Sequence, residues 1–172
     1  MSGTPHILIA RQDIEAAVDR LAGEIRRDYE GKNPLLIGIL KGSFIFMADL
    51  IRRIAMPLEI SFVRLSSYDS GTESSGKIRV LTRLSEAVKD RQVIIIEDII
   101  DTGLTTTYFI DYLSKKKPAS VHLCSLTDKP SRHKIPIKID YLGFTVPDKF
   151  IVGYGIDWNE KYRYLPDICY IE

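Results

Sequence analysis

Apolar side chains at Ile14, Ala17, Val18, Leu21 and Ile25 recur every three to four positions. The spacing predicts a helix over residues 13–29, which Gly31 and Asn33-Pro34 stop. LLIGIL, at 35–40, is a continuous apolar run too short for a typical helix, so it reads as a strand covered on both faces. Helical spacing returns through Phe44, Met47, Ala48 and Ile51 and ends before Pro57, predicting a helix over 44–54. Residues 58–65 alternate at period two and read as a strand, with which residues 78–82 can pair. Between these two, Ser66 to Gly76 contains no aliphatic residue. That stretch is expected to be a mobile surface loop, and its lone aromatic, Tyr68, suggests a lid. Residues 93–96 form a second buried strand, followed by a helix over about 105–116. VHLCSL at 121–126, YLGF at 141–144 and FIVGYGI at 150–156 supply further short strands.

Strands alternating with helices over most of the chain argue for an α/β fold with a mainly parallel twisted sheet flanked by helices. A chain of 172 residues that is 45% hydrophobic can bury one sizeable core, so a single domain over 1–172 is expected. In such sheets, ligands bind beyond the carboxyl ends of the strands. Both LKGS at 40–43 and EDIIDTGLTT at 97–106 fall at that edge.

The formal net charge of +1 provides no global field to attract nucleic acid or an anionic membrane, so any anion has to be bound locally. Cys124 and Cys169 lack metal-type spacing, which suits buried structural thiols in a reducing cytosol. No leader and no run near the roughly 20 apolar residues of a membrane span is present. A soluble cytoplasmic protein is expected. His6, His122 and His133 show no triad or metal-cage spacing and are read as structural or surface groups. Trp158 is read as packing a site wall, and Lys115 to Lys117 as a solvated helix end.

The chemistry concentrates at VIIIEDIIDTGLTTT, residues 93–107, where Glu97, Asp98 and Asp101 precede a Gly/Thr turn. Gly103 permits a tight turn in which Thr102 to Thr106 present backbone N–H groups and hydroxyls at a helix start, a phosphate site that needs no Lys or Arg. No Gly-Lys-Ser/Thr ends the loop and no Gly-x-Gly-x-x-Gly is present, which disfavours nucleotide hydrolysis and dinucleotide binding. Carboxylates beside a phosphate site accept hydrogen bonds from sugar hydroxyls or hold Mg²⁺, which prefers oxygen ligands. Helix capping is the alternative use of such acids.

Glu97-Asp98 followed by Asp101-Thr102-Gly103 resembles the phosphoribosyl pyrophosphate signature of the purine phosphoribosyltransferases, in the form of the hypoxanthine-guanine branch. LKGS at 40–43, SSY at 66–68, DKPSR at 128–132 and PDKFIVGYGIDWNEKYR at 147–163 also match, in the family's order. The resemblance implies the type I phosphoribosyltransferase fold with a small hood and a mobile lid loop. It implies transfer of 5-phosphoribosyl from phosphoribosyl pyrophosphate to N9 of hypoxanthine or guanine, with xanthine also open, giving IMP or GMP and pyrophosphate with Mg²⁺ as cofactor. By the same resemblance, Glu97, Asp98, Asp101, Thr102, Gly103, Leu104, Thr105 and Thr106 would hold the phosphoribosyl group. Asp101 would act as general base near purine N7, though it can also cap the helix. Lys41, Gly42 and Arg163 would hold pyrophosphate, and relatives carry a non-proline cis peptide at the position of Leu40-Lys41. Lys129, Phe150, Ile151 and Asp157 would hold the purine, and Glu97, Asp98 and Asp157 the metal. Ser67 and Tyr68 would form the lid. Homodimers or homotetramers are usual in the family, and neither nucleic acid nor membrane is an expected partner. The rival reading is a regulator on the same fold that senses nucleotides or binds RNA.

Overall fold

The computed structural model describes residues 3–67, 78–81, 84 and 88–172. In chain order these form β1 (Pro5–Ile9), α1 (Arg11–Tyr29), β2 (Leu35–Leu40), α2 (Phe44–Ile54), β3 (Glu59–Ser67), β4 (Ile78–Val80), β5 (Gln92–Ile100), α3 (Leu104–Ser114), β6 (Ser120–Asp128), β7 (Tyr141–Thr145), β8 (Phe150–Val152) and β9 (Ile168–Ile171). The six-stranded main sheet has the order β4-β3-β2-β5-β6-β7, in which β3, β2, β5, β6 and β7 run parallel and β4 pairs antiparallel with β3. A smaller antiparallel sheet, β1-β9-β8, forms the expected hood.

The uninterrupted apolar runs follow from burial on both faces. On one face, Leu36, Ile94 and Ile96 pack with Ile14, Val18, Leu21 and Ile25 of α1 and Phe46, Met47 and Leu50 of α2. On the other, Leu35, Ile37, Val93 and Ile95 pack with Phe109 and Leu113 of α3. Each such side chain contributes about 2 kcal/mol on leaving water, and alternation within a strand feeds both layers. No helix among the described residues is long and apolar enough to cross a membrane. Cys124 and Cys169 are free and buried.

Several boundaries differ from the sequence expectation. β5 continues to Ile100, because its ladder with β6 persists to the Ile100–Asp128 pair. Glu97 and Asp98 therefore lie inside the strand and not at its end. FIVGYGI yields only the short β8, since Gly153, Tyr154 and Gly155 all take positive φ. α3 stops at Ser114, two residues before the expected end. β1 and β9 carry too little periodicity to be read locally, and they exist by pairing the two ends of the chain. Of the expected lid, Ser67 ends β3 in backbone, while Tyr68 and the segment 68–77 lie outside the described residues.

Candidate active site

The chain leaves β2 through α2 toward β3 on one side, and leaves β5 through α3 toward β6 on the other. Parallel sheets bind ligands where the winding reverses in this way. Pairing between β2 and β5 stops at Gly38–Ile96. Past that point lies a cleft of about 270 Å³ bounded by Ile39, Leu40, Leu65, residues 97–99, Asp101–Gly103 and Thr105–Thr106.

Its floor is acidic and buried. Glu97 and Asp98 are 6% and 9% exposed. Burial and the neighbouring Asp98 charge push Glu97 well above the ordinary carboxyl range, and the Thr106 hydroxyl, donating to Glu97 Oε1 at 3.1 Å, opposes that shift only in part. Burial likewise pushes Asp98 up to about 6. Thr127 steadies this stretch by donating its hydroxyl to the Asp98 carbonyl at 2.8 Å. The roof is Gly42, directly against Asp98: a Cβ there would lie 1.8 Å from Asp98 Oδ2. Only a residue without a side chain fits that approach. The preceding Leu40-Lys41 peptide is cis.

The Gly/Thr turn closes the cleft. Gly103 has φ 78°, a left-handed conformation, and α3 begins at the next residue. The first-turn N–H groups of a helix have no intrahelical partner and point outward as anion donors. Leu104 N donates to Thr102 Oγ1 at 3.4 Å, and Thr105 is exposed at the mouth of the cleft. Leu104, 38% exposed, does not border the cleft.

A second cleft of about 470 Å³ adjoins the first and is bounded by Lys129, Phe150, Ile151, Asp157 and Arg132 among others. Ile99 and Asp101 border both clefts. Lys129 follows β6 and is held by a hydrogen bond from its N–H to the Ile100 carbonyl at 2.9 Å. It is only 7% exposed, and its ammonium pairs with no other described residue, which leaves its donors free for a ligand. Phe150 presents a half-exposed ring, while Ile151 is buried with its backbone in the hood sheet.

Lys41 and Arg163 border neither cleft. They meet through Glu160, which Lys41 Nζ contacts at 2.6 Å and Arg163 Nη2 at 3.2 Å. Arg163 also donates to the Gly155 carbonyl at 2.7 Å and pairs with Asp157 at 2.8 Å. Asp157 thus faces a guanidinium as well as the second cleft.

Sequence reasoning missed two partners. Arg132 Nε donates to Asp101 Oδ1 at 3.1 Å and lies 3.6 Å from Asp148. Glu160 joins the two cations. Both lie inside the matching stretches DKPSR and NEKYR, which was the available signal. His133 bonds the buried Asp128 at 2.7 Å and His122 the Tyr29 hydroxyl at 2.6 Å, so both have structural partners. Trp158 stacks on Tyr162.

No group of three or more His, Cys, Asp or Glu side chains forms a metal cage among the described residues. Mg²⁺ needs none when a substrate brings oxygens, since one or two carboxylates then suffice. The buried Glu97-Asp98 pair, whose proton affinity is raised chiefly by burial, fits that requirement.

The model of the phosphoribosyl transferase domain matches residues 8–159 of the chain. The chain is 45% identical over 162 residues to the hypoxanthine-guanine phosphoribosyltransferase of Bacillus subtilis, covering 94% of this chain and 90% of that one. It is also 45% identical to the bifunctional protein TilS/HprT of Listeria innocua, of which it spans only 25% of the length. A solved structure of a hypoxanthine phosphoribosyltransferase from Staphylococcus aureus superposes with a TM-score of 0.93 at 41% identity, covering 97% of this chain and 91% of that one. The chain belongs to the phosphoribosyl transferase family, in the branch of the hypoxanthine-guanine phosphoribosyltransferases.

Proposed function

We propose that this chain, working as one domain in the cytoplasm, transfers 5-phosphoribosyl from phosphoribosyl pyrophosphate to N9 of hypoxanthine or guanine, producing IMP or GMP and pyrophosphate. One observation carries the reading: Asp101 stands on the wall shared by a cleft built for a sugar phosphate and a cleft built for a flat base. The bond to be made joins the contents of the two.

Thr102 to Thr106 receive the 5-phosphate with N–H groups and hydroxyls. Glu97 and Asp98 accept from the ribose hydroxyls and would hold Mg²⁺, and Asp157 would hold a second ion. Mg²⁺ supplies charge neutralisation of the departing pyrophosphate when bound. Lys129 donates to the exocyclic oxygen of the purine and rejects an amino group there. Phe150 stacks on the ring, and Ile151 offers backbone groups to its edge. Asp101, fixed by Arg132, takes the proton from N7. Lys41, Gly42 and Arg163 hold the leaving group.

The chain is further proposed to act as a homodimer or homotetramer, which light scattering on the eluting protein measures. No feature of the described residues favours the RNA-binding or nucleotide-sensing regulator. Incubation with phosphoribosyl pyrophosphate and labelled hypoxanthine, guanine or xanthine tests the activity. Absence of a nucleotide product with all three bases would overturn it.

A further inference from the structure

Glu160 sits at the tip of a two-residue hairpin. Trp158 N donates to the Lys161 carbonyl at 3.2 Å and Lys161 N to the Trp158 carbonyl at 3.0 Å, while Asn159 and Glu160 take φ of 51° and 62°. Left-handed values at both central residues mark a type I′ turn, whose second position favours Gly because a side chain is strained there. A glutamate in that place is costly for the turn, and its backbone is fixed by a hydrogen bond from Glu160 N to Asp157 Oδ2 at 2.8 Å. The strained residue aims its carboxylate at two cations: Oε1 at Lys41 Nζ, 2.6 Å, and Oε2 at Arg163 Nη2, 3.2 Å. Those cations hold the Glu160 carboxyl below its ordinary range. Strain kept at a functional site points to a role beyond folding.

We propose that Glu160 is an internal stand-in for the pyrophosphate anion. This rests on the reading of Lys41 and Arg163 as the pyrophosphate grip. Between turnovers, the two Glu160 oxygens occupy the positions that phosphate oxygens take on the cations. Phosphoribosyl pyrophosphate displaces the carboxylate on entry, and the carboxylate returns to the cations as pyrophosphate leaves. No bond is made or broken in this exchange. Glu160 thereby weakens retention of the product and keeps Lys41 and Arg163 ordered between turnovers. Its 65% exposed side chain can swing into water without unpacking the core.

Two variants test this. Glu160→Gln keeps the shape and removes the charge, and Glu160→Asp keeps the charge and shortens the reach. Pyrophosphate is titrated calorimetrically into each protein with Mg²⁺ present, and the KM for phosphoribosyl pyrophosphate is measured alongside. Both variants are expected to bind pyrophosphate about three- to tenfold tighter, the scale of two solvent-exposed ion pairs removed from competition. The KM should fall similarly and turnover should not rise. Unchanged or weaker binding in Glu160→Gln overturns the proposal, since Glu160 then merely props the cations. Tighter binding in Glu160→Gln with none in Glu160→Asp also overturns it, because a long-range charge effect needs no displacement. If the wild-type protein transfers phosphoribosyl but binds no pyrophosphate, the inference fails while the activity stands. If it does neither, the reading of the site fails first.

Discussion

Glu97→Gln separates what the acidic floor costs the fold from what it gives the site. At pH 7 two adjacent carboxyls are buried together on the cleft floor, and burial raises Asp98 from its ordinary 3.8 to about 6. At about 1.4 kcal/mol per tenfold change in proton affinity, that amounts to about 3 kcal/mol for Asp98. Glu97 moves in the same direction, by burial and by repulsion from Asp98. A carboxyl whose folded value is raised binds protons in the native state where the unfolded chain has released them. The pair's contribution to stability is therefore greatest below the ordinary carboxyl values, near pH 4, and is lost as pH rises through the raised ones. Gln removes one charge and the mutual repulsion, and its amide oxygen still accepts from the Thr106 hydroxyl. Urea unfolding without Mg²⁺ or phosphates should find the variant about 2 kcal/mol more stable at pH 7, the order of one buried charge no longer desolvated, a gap that closes toward pH 4. In a thermal melt this is a rise of about 4–8 °C. Mg²⁺ with phosphoribosyl pyrophosphate should stabilise the wild type and lose that effect in the variant. A variant equal to or less stable than the wild type at pH 7, or a gap independent of pH, would refute the account.

Gly42→Ala places a methyl group 1.8 Å from Asp98 Oδ2, so the carboxylate or the loop must shift. A displacement of this size should lower kcat/KM by about 10²-fold, read in the transfer assay, with far-UV circular dichroism unchanged. Asp101→Asn should retain phosphoribosyl pyrophosphate binding by calorimetry yet slow turnover by about 10² to 10⁴; unchanged turnover removes Asp101 as the base. Lys129→Gln replaces a pure donor by a group that also accepts. Hypoxanthine kcat/KM should then drop at least about tenfold and the preference over adenine narrow, while an intact preference would place selection elsewhere.

What could be read locally depended on how local the cause was. The helix over 44–54 was legible in its bounds, but the face read from the spacing, Phe44, Met47, Ala48 and Ile51, shares only Met47 with the buried face of Phe46, Met47, Leu50 and Ile54. FIFMADLIRRI is apolar on more than one side, and local spacing does not choose between them. The strand 35–40 was legible because burial on both faces leaves no polar position. β1 and β9 were not, since each is short and owes its existence to a partner at the far end of the chain. The acids and the Gly/Thr turn were legible for the same reason as the helix: they are contiguous, and one strand and one helix start carry them. Arg132 and Glu160 are exposed charges with no periodic signature. They acquire meaning only because the fold sets Arg132 against Asp101 across 31 positions and Glu160 against Lys41 across 119.

That difference bears on how the site is balanced. Among the described residues, Lys41 and Arg163 already face carboxylates, and Asp101 already faces Arg132. The Lys41–Glu160 and Asp101–Arg132 pairs are exposed enough for water to keep them weak, while Arg163 and Asp157 are partly buried. Among the described residues, the site groups with no ion-pair partner in contact are the buried ones: Glu97 and Asp98 on the floor, where Arg163 acts on Asp98 only from a distance, and Lys129 in the second cleft. Unpaired buried charge is what a ligand can best reward, because the protein has already borne the desolvation. Under the proposed function, a magnesium-bound sugar pyrophosphate and a 6-oxopurine would meet that demand at both ends, so specificity would reside in the buried groups, while the solvent-facing pairs would set how easily the anion enters and leaves.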